Sequence, residues 1–173
     1  EYMNYAAIGD IHANIFALEA CLNSLEKFQH NQELKLDKIF FMGDLLTYGT
    51  NVNDTLEKII TFSQENNVEF ILGNHDEMYH QLLVEKKSTY FNMMPEWIKS
   101  SVDLTLKKID IKLFNSIKMK KFYIAGESLI SHANSLILNE ANKNKWIYID
   151  SLKSYQEEAE RLKALNFKLG VYG

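Results

Sequence analysis

The chain has 173 residues, 46% of them hydrophobic, and its 19 Lys and Arg residues nearly balance 23 Asp and Glu residues to give a formal net charge of −4. This size predicts one domain with one core, and the charge balance excludes the broad basic surface by which proteins hold nucleic-acid polymers or anionic membranes. The single cysteine, Cys21, excludes an intrachain disulfide, and no stretch is long and apolar enough to span a bilayer.

The first unit of the chain is a predicted strand followed by a predicted helix. The apolar run Tyr5–Ile8 leads into Gly9-Asp10-Ile11-His12, and Asn14 suits the N-cap of a helix whose apolar residues recur at helical spacing up to Lys27. Cys21 falls on the apolar side of this helix, so we expect it to be a buried core thiol.

Two further units repeat this design. A predicted strand over 38–42 leads into Gly43-Asp44, and after a helix another strand over 68–72 leads into Gly73-Asn74-His75-Asp76. Continuous apolar runs separated by helices predict an α/β fold whose sheet is covered on both faces, and such sheets collect their ligands where the strands end. The side chains after each glycine are therefore expected to converge on one crevice.

The remainder of the chain begins with a helical pattern at about 77–117, which we predict to be a cap-like insertion in a single domain over 1–173. Strands are predicted at 120–125 and 128–131, joined by a turn at Gly126-Glu127, and the second leads directly to His132. A final helix over 155–165 precedes a terminal strand.

These blocks together resemble the signature of the calcineurin-like metallophosphoesterase superfamily, and the lettering is similar to its small bacterial branch of YfcE-type and diadenosine tetraphosphatase-like proteins. The signature runs Asp-x-His, Gly-Asp, Gly-Asn-His-Asp/Glu and an isolated His, which match Asp10-Ile11-His12, Gly43-Asp44, Gly73-Asn74-His75-Asp76 and His132. One such block alone is a weak signal, whereas the ordered set is specific. The resemblance implies a layered β-sandwich flanked by helices.

The family continues with Gly-His-x-His, and here the sequence stops after Leu169-Gly170-Val171-Tyr172-Gly173, where the next His would stand. We expect that the C-terminal part of the fold is missing from this chain and that the natural polypeptide continues with His-x-His and further strands.

The resemblance also implies a centre of two divalent metal ions, with manganese first and iron, zinc or nickel as alternatives. It assigns the bridging carboxylate to Asp44, the first metal to Asp10 and His12, and the second to Asn74 and His132. From the residues alone, an isolated Asp such as Asp44 is usually a turn or cap residue, and a structural histidine is the alternative for His132.

The implied activity is hydrolysis of small phosphodiesters, phosphomonoesters or nucleotides by a hydroxide that the two metals activate. His75 would donate a proton or a hydrogen bond to the leaving oxygen, and Asn74 and His75 would bind the substrate phosphate. We expect a cytoplasmic enzyme that has a small phosphorylated substrate as its partner and binds neither a nucleic-acid polymer nor a membrane. The sequence carries no signal for the oligomeric state.

Two other functions stay open. Phosphoprotein phosphatases of this superfamily extend the second block as Gly-Asp-x-x-Asp-Arg-Gly, and Thr47 and Tyr48 replace that Asp and Arg, which disfavours this activity. A non-catalytic scaffold is the other alternative, although His75 is retained. Tyr48 or Tyr79 can stack on a base, or each can serve ordinary packing.

Overall fold

The computed structural model describes residues 3–142 and 145–173. The strands are β1 (Tyr5–Ile8), β2 (Lys38–Phe41), β3 (Val68–Ile71), β4 (Met119–Lys120), β5 (Phe122–Ala125), β6 (Ser128–Ser131) and β7 (Leu169–Tyr172). The α-helices are α1 (Ile15–Asn31), α2 (Val52–Glu65), α3 (Asn74–Val84), α4 (Thr89–Met93), α5 (Glu96–Lys108), α6 (Ile111–Ser116) and α7 (Leu152–Ala164), with a 3-10 helix at Ser135–Leu138.

The first sheet has the strand order β1-β2-β3-β4, and all its described pairings are parallel. Helices α1 and α2 connect the first three strands, because a parallel connection needs a long crossover. Asn14 caps α1 as predicted, since its side chain accepts a hydrogen bond of 3.0 Å from the backbone N–H of Ala17. The carboxyl ends of β1, β2 and β3 consequently meet at one edge.

The second sheet has the order β5-β6-β7, in which β5 and β6 form the predicted antiparallel hairpin at Gly126 and β7 adds to β6 in parallel. The prediction of one strand over 120–125 is wrong. Lys120 pairs with Ile71 in the first sheet, whereas Phe122 pairs with Ser131 in the second. The chain passes from one sheet to the other between these two residues, which an apolar pattern alone does not reveal.

The two sheets and the helices form layers. Side chains of β2 and β3, including Phe40 and Ile71, pack against Ile130 of β6 and Val171 of β7 between the sheets. A larger cluster lies between the other face of the first sheet and the helices. The predicted α/β layered sandwich flanked by helices is confirmed in this part of the chain.

Helices α3 to α6 fill the segment between β3 and β4, where the sequence predicts helical structure. The final helix begins at Leu152, three residues before its predicted start, because Ser151 caps it. The prediction for Cys21 is wrong, since its side chain is exposed on α1. Among the helices of the described residues, none combines the length and the apolar character that crossing a bilayer requires.

Candidate metal centre

Three loops form the candidate site, each directly after a parallel strand. Asp10 and His12 follow β1, Asp44 follows β2, and Asn74 and His75 begin α3 directly after β3. Because these strands are neighbours in the sheet, their loops lie side by side at its carboxyl edge. His132 joins them from the second sheet, one residue after β6.

The loops approach each other so closely that glycine is required between them. A Cβ atom on Gly73 would lie 2.2 Å from Oδ1 of Asp44, and Gly43 has a φ of +95°. Asp10, His12 and Asp44 also have positive φ values of 51°, 49° and 52°. Backbone strain of this kind is typical of functional sites, where the surrounding structure holds residues in unfavourable conformations.

The carboxylate of Asp44 lies at the centre of the site. Its Oδ2 atom is 4.0 Å from Nε2 of His12, 4.0 Å from Nε2 of His75 and 3.6 Å from Nε2 of His132. Nε2 of His12 is also 3.8 Å from Oδ1 of Asp10. Asp10, His12 and Asp44 each offer a ligand atom within 4.8 Å of the others, a grouping that can hold one metal ion.

The two imidazoles assigned as ligands are oriented by backbone carbonyls. Nδ1 of His12 lies 2.9 Å from the carbonyl oxygen of Leu46, and Nδ1 of His132 lies 2.6 Å from that of Met42. A carbonyl only accepts, so each Nδ1 carries the proton that it donates. In the neutral form, each Nε2 then presents a lone pair to the crevice, which is the arrangement of a metal-binding histidine.

A second group of atoms that can act as ligands surrounds His132. The amide of Asn74 donates through Nδ2 to the hydroxyl of Tyr90 at 2.7 Å, which leaves Oδ1 facing Nε2 of His132 at 2.8 Å. An amide oxygen and an imidazole lone pair are both acceptors, so a shared cation suits the space between them. Oδ2 of Asp44 lies beside this pair as well as beside His12.

The electrostatics of Asp44 also fit a cation. Burial raises the pKa of its carboxyl well above the ordinary value, and the nearby carboxylates of Asp76 and Asp10 raise it further, while the backbone N–H of His75 opposes this. Among the described residues, the basic side chains within 4.0 Å of this carboxylate are three histidines. Carboxylate, imidazole and amide donors together suit manganese, iron or zinc.

His75 differs from the other two histidines because a hydroxyl, not a carbonyl, orients it. Its Nδ1 lies 3.0 Å from Oγ1 of Thr47, which in turn lies 2.8 Å from the hydroxyl of Tyr79. Burial, together with the neighbouring His12 and His132, lowers the pKa of His75 to about 4. Tyr79 is buried as packing, and burial raises its pKa to about 12, so it stays protonated.

Sequence reasoning missed the role of Asp76, which fastens two of the loops together. Its carboxylate is fully buried and accepts hydrogen bonds from the backbone N–H groups of Gly73 at 2.9 Å, Asp44 at 2.7 Å and Leu45 at 3.0 Å. The bond to Gly73 could be predicted from the sequence, because Asp76 stands at the third position of α3, where a side chain often accepts from the residue before the helix. The other two donors belong to the loop after β2, which is distant in sequence.

Aromatic side chains that no motif predicts surround the crevice. The ring centroid of Trp146 lies 5.6 Å from that of His132, and Tyr90 lies 5.9 Å from His75. Tyr48 packs edge-on against His12 at 4.6 Å. Every residue that the sequence analysis selected is thus present around one crevice, and that set is Asp10, His12, Asp44, Asn74, His75 and His132.

Comparison with known proteins gives the family. The family model for calcineurin-like phosphoesterases matches residues 3–171. An uncharacterised protein of Methanocaldococcus jannaschii is 33% identical over 135 residues, which are 75% of this chain and 49% of that protein. The chain therefore spans about half the length of this curated relative.

Solved structures agree on the fold. A hypothetical protein from Pyrococcus horikoshii OT3 matches with a TM-score of 0.73 at 15% identity, over 94% of this chain and 66% of that one. A metallophosphoesterase from Sphaerobacter thermophilus matches with a TM-score of 0.56 at 22% identity, over 96% and 56% of the two chains. The ligand loops, the layered fold and the match over 3–171 together show that this chain belongs to the calcineurin-like phosphoesterase family.

Proposed function

We propose that the protein hydrolyses small phosphate esters with two divalent metal ions, manganese first among them. The observation that carries the proposal is the position of Asp44, whose Oδ2 lies within 4.0 Å of Nε2 of both His12 and His132. A carboxylate that lies beside both histidines can bridge two ions. Asp10 and His12 would hold one ion, and Asn74 and His132 the other.

The membership of the family supports a hydrolase that acts on phosphate esters. When bound, two divalent cations would offset the negative charge on the phosphoryl oxygens and make the attacking water more acidic. The chain itself must orient the side chains that would hold the ions. The carbonyls of Leu46 and Met42 orient His12 and His132, and Asp76 accepts a hydrogen bond from the backbone N–H of Asp44.

His75 would serve the leaving oxygen. In the hydrogen-bond direction that we propose, Tyr79 donates to Thr47 and Thr47 donates to Nδ1 of His75. The proton of the neutral imidazole then resides on Nε2, the atom that faces Oδ2 of Asp44 and the crevice. From there it can donate a hydrogen bond to an oxygen that develops negative charge.

Thr47 and Tyr48 disfavour a phosphoprotein substrate. Thr47 is fully buried against His75, and Tyr48 carries no cationic group with which to bind a phosphate in the bidentate manner of arginine. We therefore propose small phosphodiesters, phosphomonoesters or nucleotides as the substrate class.

The experiment is hydrolysis of an aryl phosphodiester and the matching monoester with and without Mn²⁺. We expect metal-dependent turnover that Asp44→Asn abolishes, while Asp103→Asn, an exposed change on α5, leaves it intact. Metal-independent turnover, or equal turnover by Asp44→Asn, would contradict the proposal. The ratio of diester to monoester turnover then narrows the substrate class.

A further inference from the structure

A cavity of about 620 Å³ opens directly beside two of the proposed ligands. Asp10 and His12 form part of its lining, together with Asn14 and Phe16 from the start of α1 and Tyr48 and Asn51 from the loop before α2. This volume lies within the range of roughly 300–1,000 Å³ that small-molecule sites occupy. A phosphoryl group held near His12 has this space next to it for one of its ester groups.

Exposed aromatic rings surround the cavity. Phe16 is 73% exposed and Tyr48 is 43% exposed, although both are large apolar side chains. Tyr48 also stacks on Trp97, with 6.0 Å between ring centroids and 28° between planes, and Trp97 is itself 66% exposed. Single exposed apolar residues are common, whereas two exposed aromatic rings in the lining of one cavity, with Trp97 stacked on one of them, indicate a surface for a ligand.

The lining carries no cationic side chain for a second anion. None of the residues that line the cavity is Lys or Arg, and its remaining polar groups are hydroxyls and amides such as that of Asn51. Asp10 adds negative charge beside His12. A polyphosphate or a second carboxylate would therefore meet no cationic side chain there, whereas an uncharged ring would contact the rings of Tyr48 and Phe16.

We propose that this cavity binds a planar, uncharged aromatic ester group of the substrate, stacked on Tyr48, with Phe16 on the cavity wall. The inference rests on the proposed function, because it assumes that the phosphoryl group binds at the adjoining metal centre. A simple aryl ring and a nucleobase share this chemistry.

The test measures binding, not turnover, by calorimetry of the Mn²⁺-loaded protein with phosphonates, which cannot be hydrolysed. Phenylphosphonate is compared with cyclohexylphosphonate, which has similar size and no aromatic face. We expect the phenyl compound to bind about three- to tenfold more tightly. Tyr48→Leu and Phe16→Leu should each reduce this preference, whereas Phe28→Leu, which changes an exposed ring at the other end of α1, should not.

Two further ligands test the charge and the source of the ring. 4-Carboxyphenylphosphonate should bind more weakly than phenylphosphonate, because the lining offers no cation. The second ligand is an adenosine 5′-methylenephosphonate. If it binds more tightly than phenylphosphonate, and Tyr48→Leu removes the difference in affinity, the ring is a nucleobase. If phenylphosphonate binds more tightly, the ring is a simple aryl group.

Equal binding of the phenyl and cyclohexyl compounds would overturn the proposal, as would a preference that both Tyr48→Leu and Phe16→Leu leave unchanged. Tighter binding of the carboxylated ring would overturn the claim that the group is uncharged. Metal-dependent turnover with no such preference would remove this inference and leave the proposed function intact, whereas absence of both turnover and phosphonate binding would remove both.

Discussion

Oγ1 of Thr47 lies 3.0 Å from Nδ1 of His75, in a fully buried contact that a hydroxyl provides instead of a carboxylate. A carboxylate at this place would stabilise a positively charged imidazole, whereas a hydroxyl orients the ring without adding charge. Burial lowers the pKa of His75, and this neutral partner does not reverse that effect. The contact therefore favours a neutral imidazole that donates from Nε2.

Replacing Thr47 with Val tests this contact, because Val keeps the shape and removes the hydroxyl. We expect kcat to fall about tenfold or more with little change in KM, since the substrate still binds while the proton on Nε2 is no longer fixed. Thr47→Ser should restore most of kcat. Steady-state kinetics of both variants beside the unaltered protein provide the measurement.

A merely structural role for Thr47 gives a different pattern. In that case Val would lower the free energy of unfolding by about 1–3 kcal/mol because Nδ1 of the buried His75 loses its hydroxyl partner, and kcat per folded molecule would be unchanged. Denaturant unfolding of the same samples separates the two results.

His75→Gln separates the hydrogen-bonding role proposed for His75 from the roles of the proposed metal ligands. Because Nδ1 of His75 faces a hydroxyl and not a backbone carbonyl, we expect the variant to bind as much Mn²⁺ as the unaltered protein. Its kcat should fall by roughly 10²–10³-fold, the usual cost of losing a hydrogen-bond donor to an oxygen that develops negative charge. His132→Gln is the matched comparison, and it should weaken Mn²⁺ binding. Loss of metal by the His75 variant would show that His75 is itself a ligand.

Asp76→Asn tests the buried carboxylate that joins the loops. An amide offers one oxygen instead of two, so its NH₂ group would face at least one of the N–H donors of Gly73, Asp44 and Leu45. We expect the free energy of unfolding to fall by about 2–4 kcal/mol, measured in denaturant without metal. Asp103→Asn is the exposed control and should change it little. Equal stability of the two variants would show that Asp76 does not hold the loops.

Glu158 should make the fold sensitive to acid. Its buried carboxylate accepts hydrogen bonds from Tyr172, from Arg161 at 2.8 Å and from the backbone and side chain of Ser135 at 2.8 and 3.0 Å. Burial alone would raise its pKa, but the bonds from Tyr172, Arg161 and Ser135 outweigh burial and lower the pKa below its ordinary value of 4.5.

The folded state then binds fewer protons at Glu158 than the unfolded state, so the stabilisation is complete above pH 4.5 and is lost as the pH falls through the folded pKa. We expect Glu158→Gln to be less stable than the unaltered protein at neutral pH. As the pH falls from neutral to below 4.5, the variant should lose less stability than the unaltered protein. Thermal unfolding at a series of pH values measures both. Parallel curves for the two proteins would rule out this source of acid sensitivity.

The ligand loops could be predicted because their information is local. Each apolar run with a following glycine specifies a strand and its end, and the parallel order of β1, β2 and β3 then brings Asp10, Asp44 and Asn74 to one edge. The position of His132 could be inferred only through the resemblance, because it comes from a different sheet.

Other features depend on contacts between distant segments, which one sequence does not encode locally. The three donors to Asp76 and the ring of Trp97 against Tyr48 exist only once the loops and α5 are in place. Cys21 occupies an apolar position in the helical pattern, yet α1 leaves it exposed because only part of that face meets the core.

The most direct test of the central claim is titration of the metal-free protein with Mn²⁺ by calorimetry, with electron paramagnetic resonance of the loaded sample. We predict two ions per chain with the signal of a magnetically coupled pair, and loss of that coupling in Asp44→Asn but not in Asp103→Asn. Absence of Mn²⁺ binding, or two uncoupled ions that Asp44→Asn does not disturb, would contradict the account of Asp44 as the carboxylate shared by two metals.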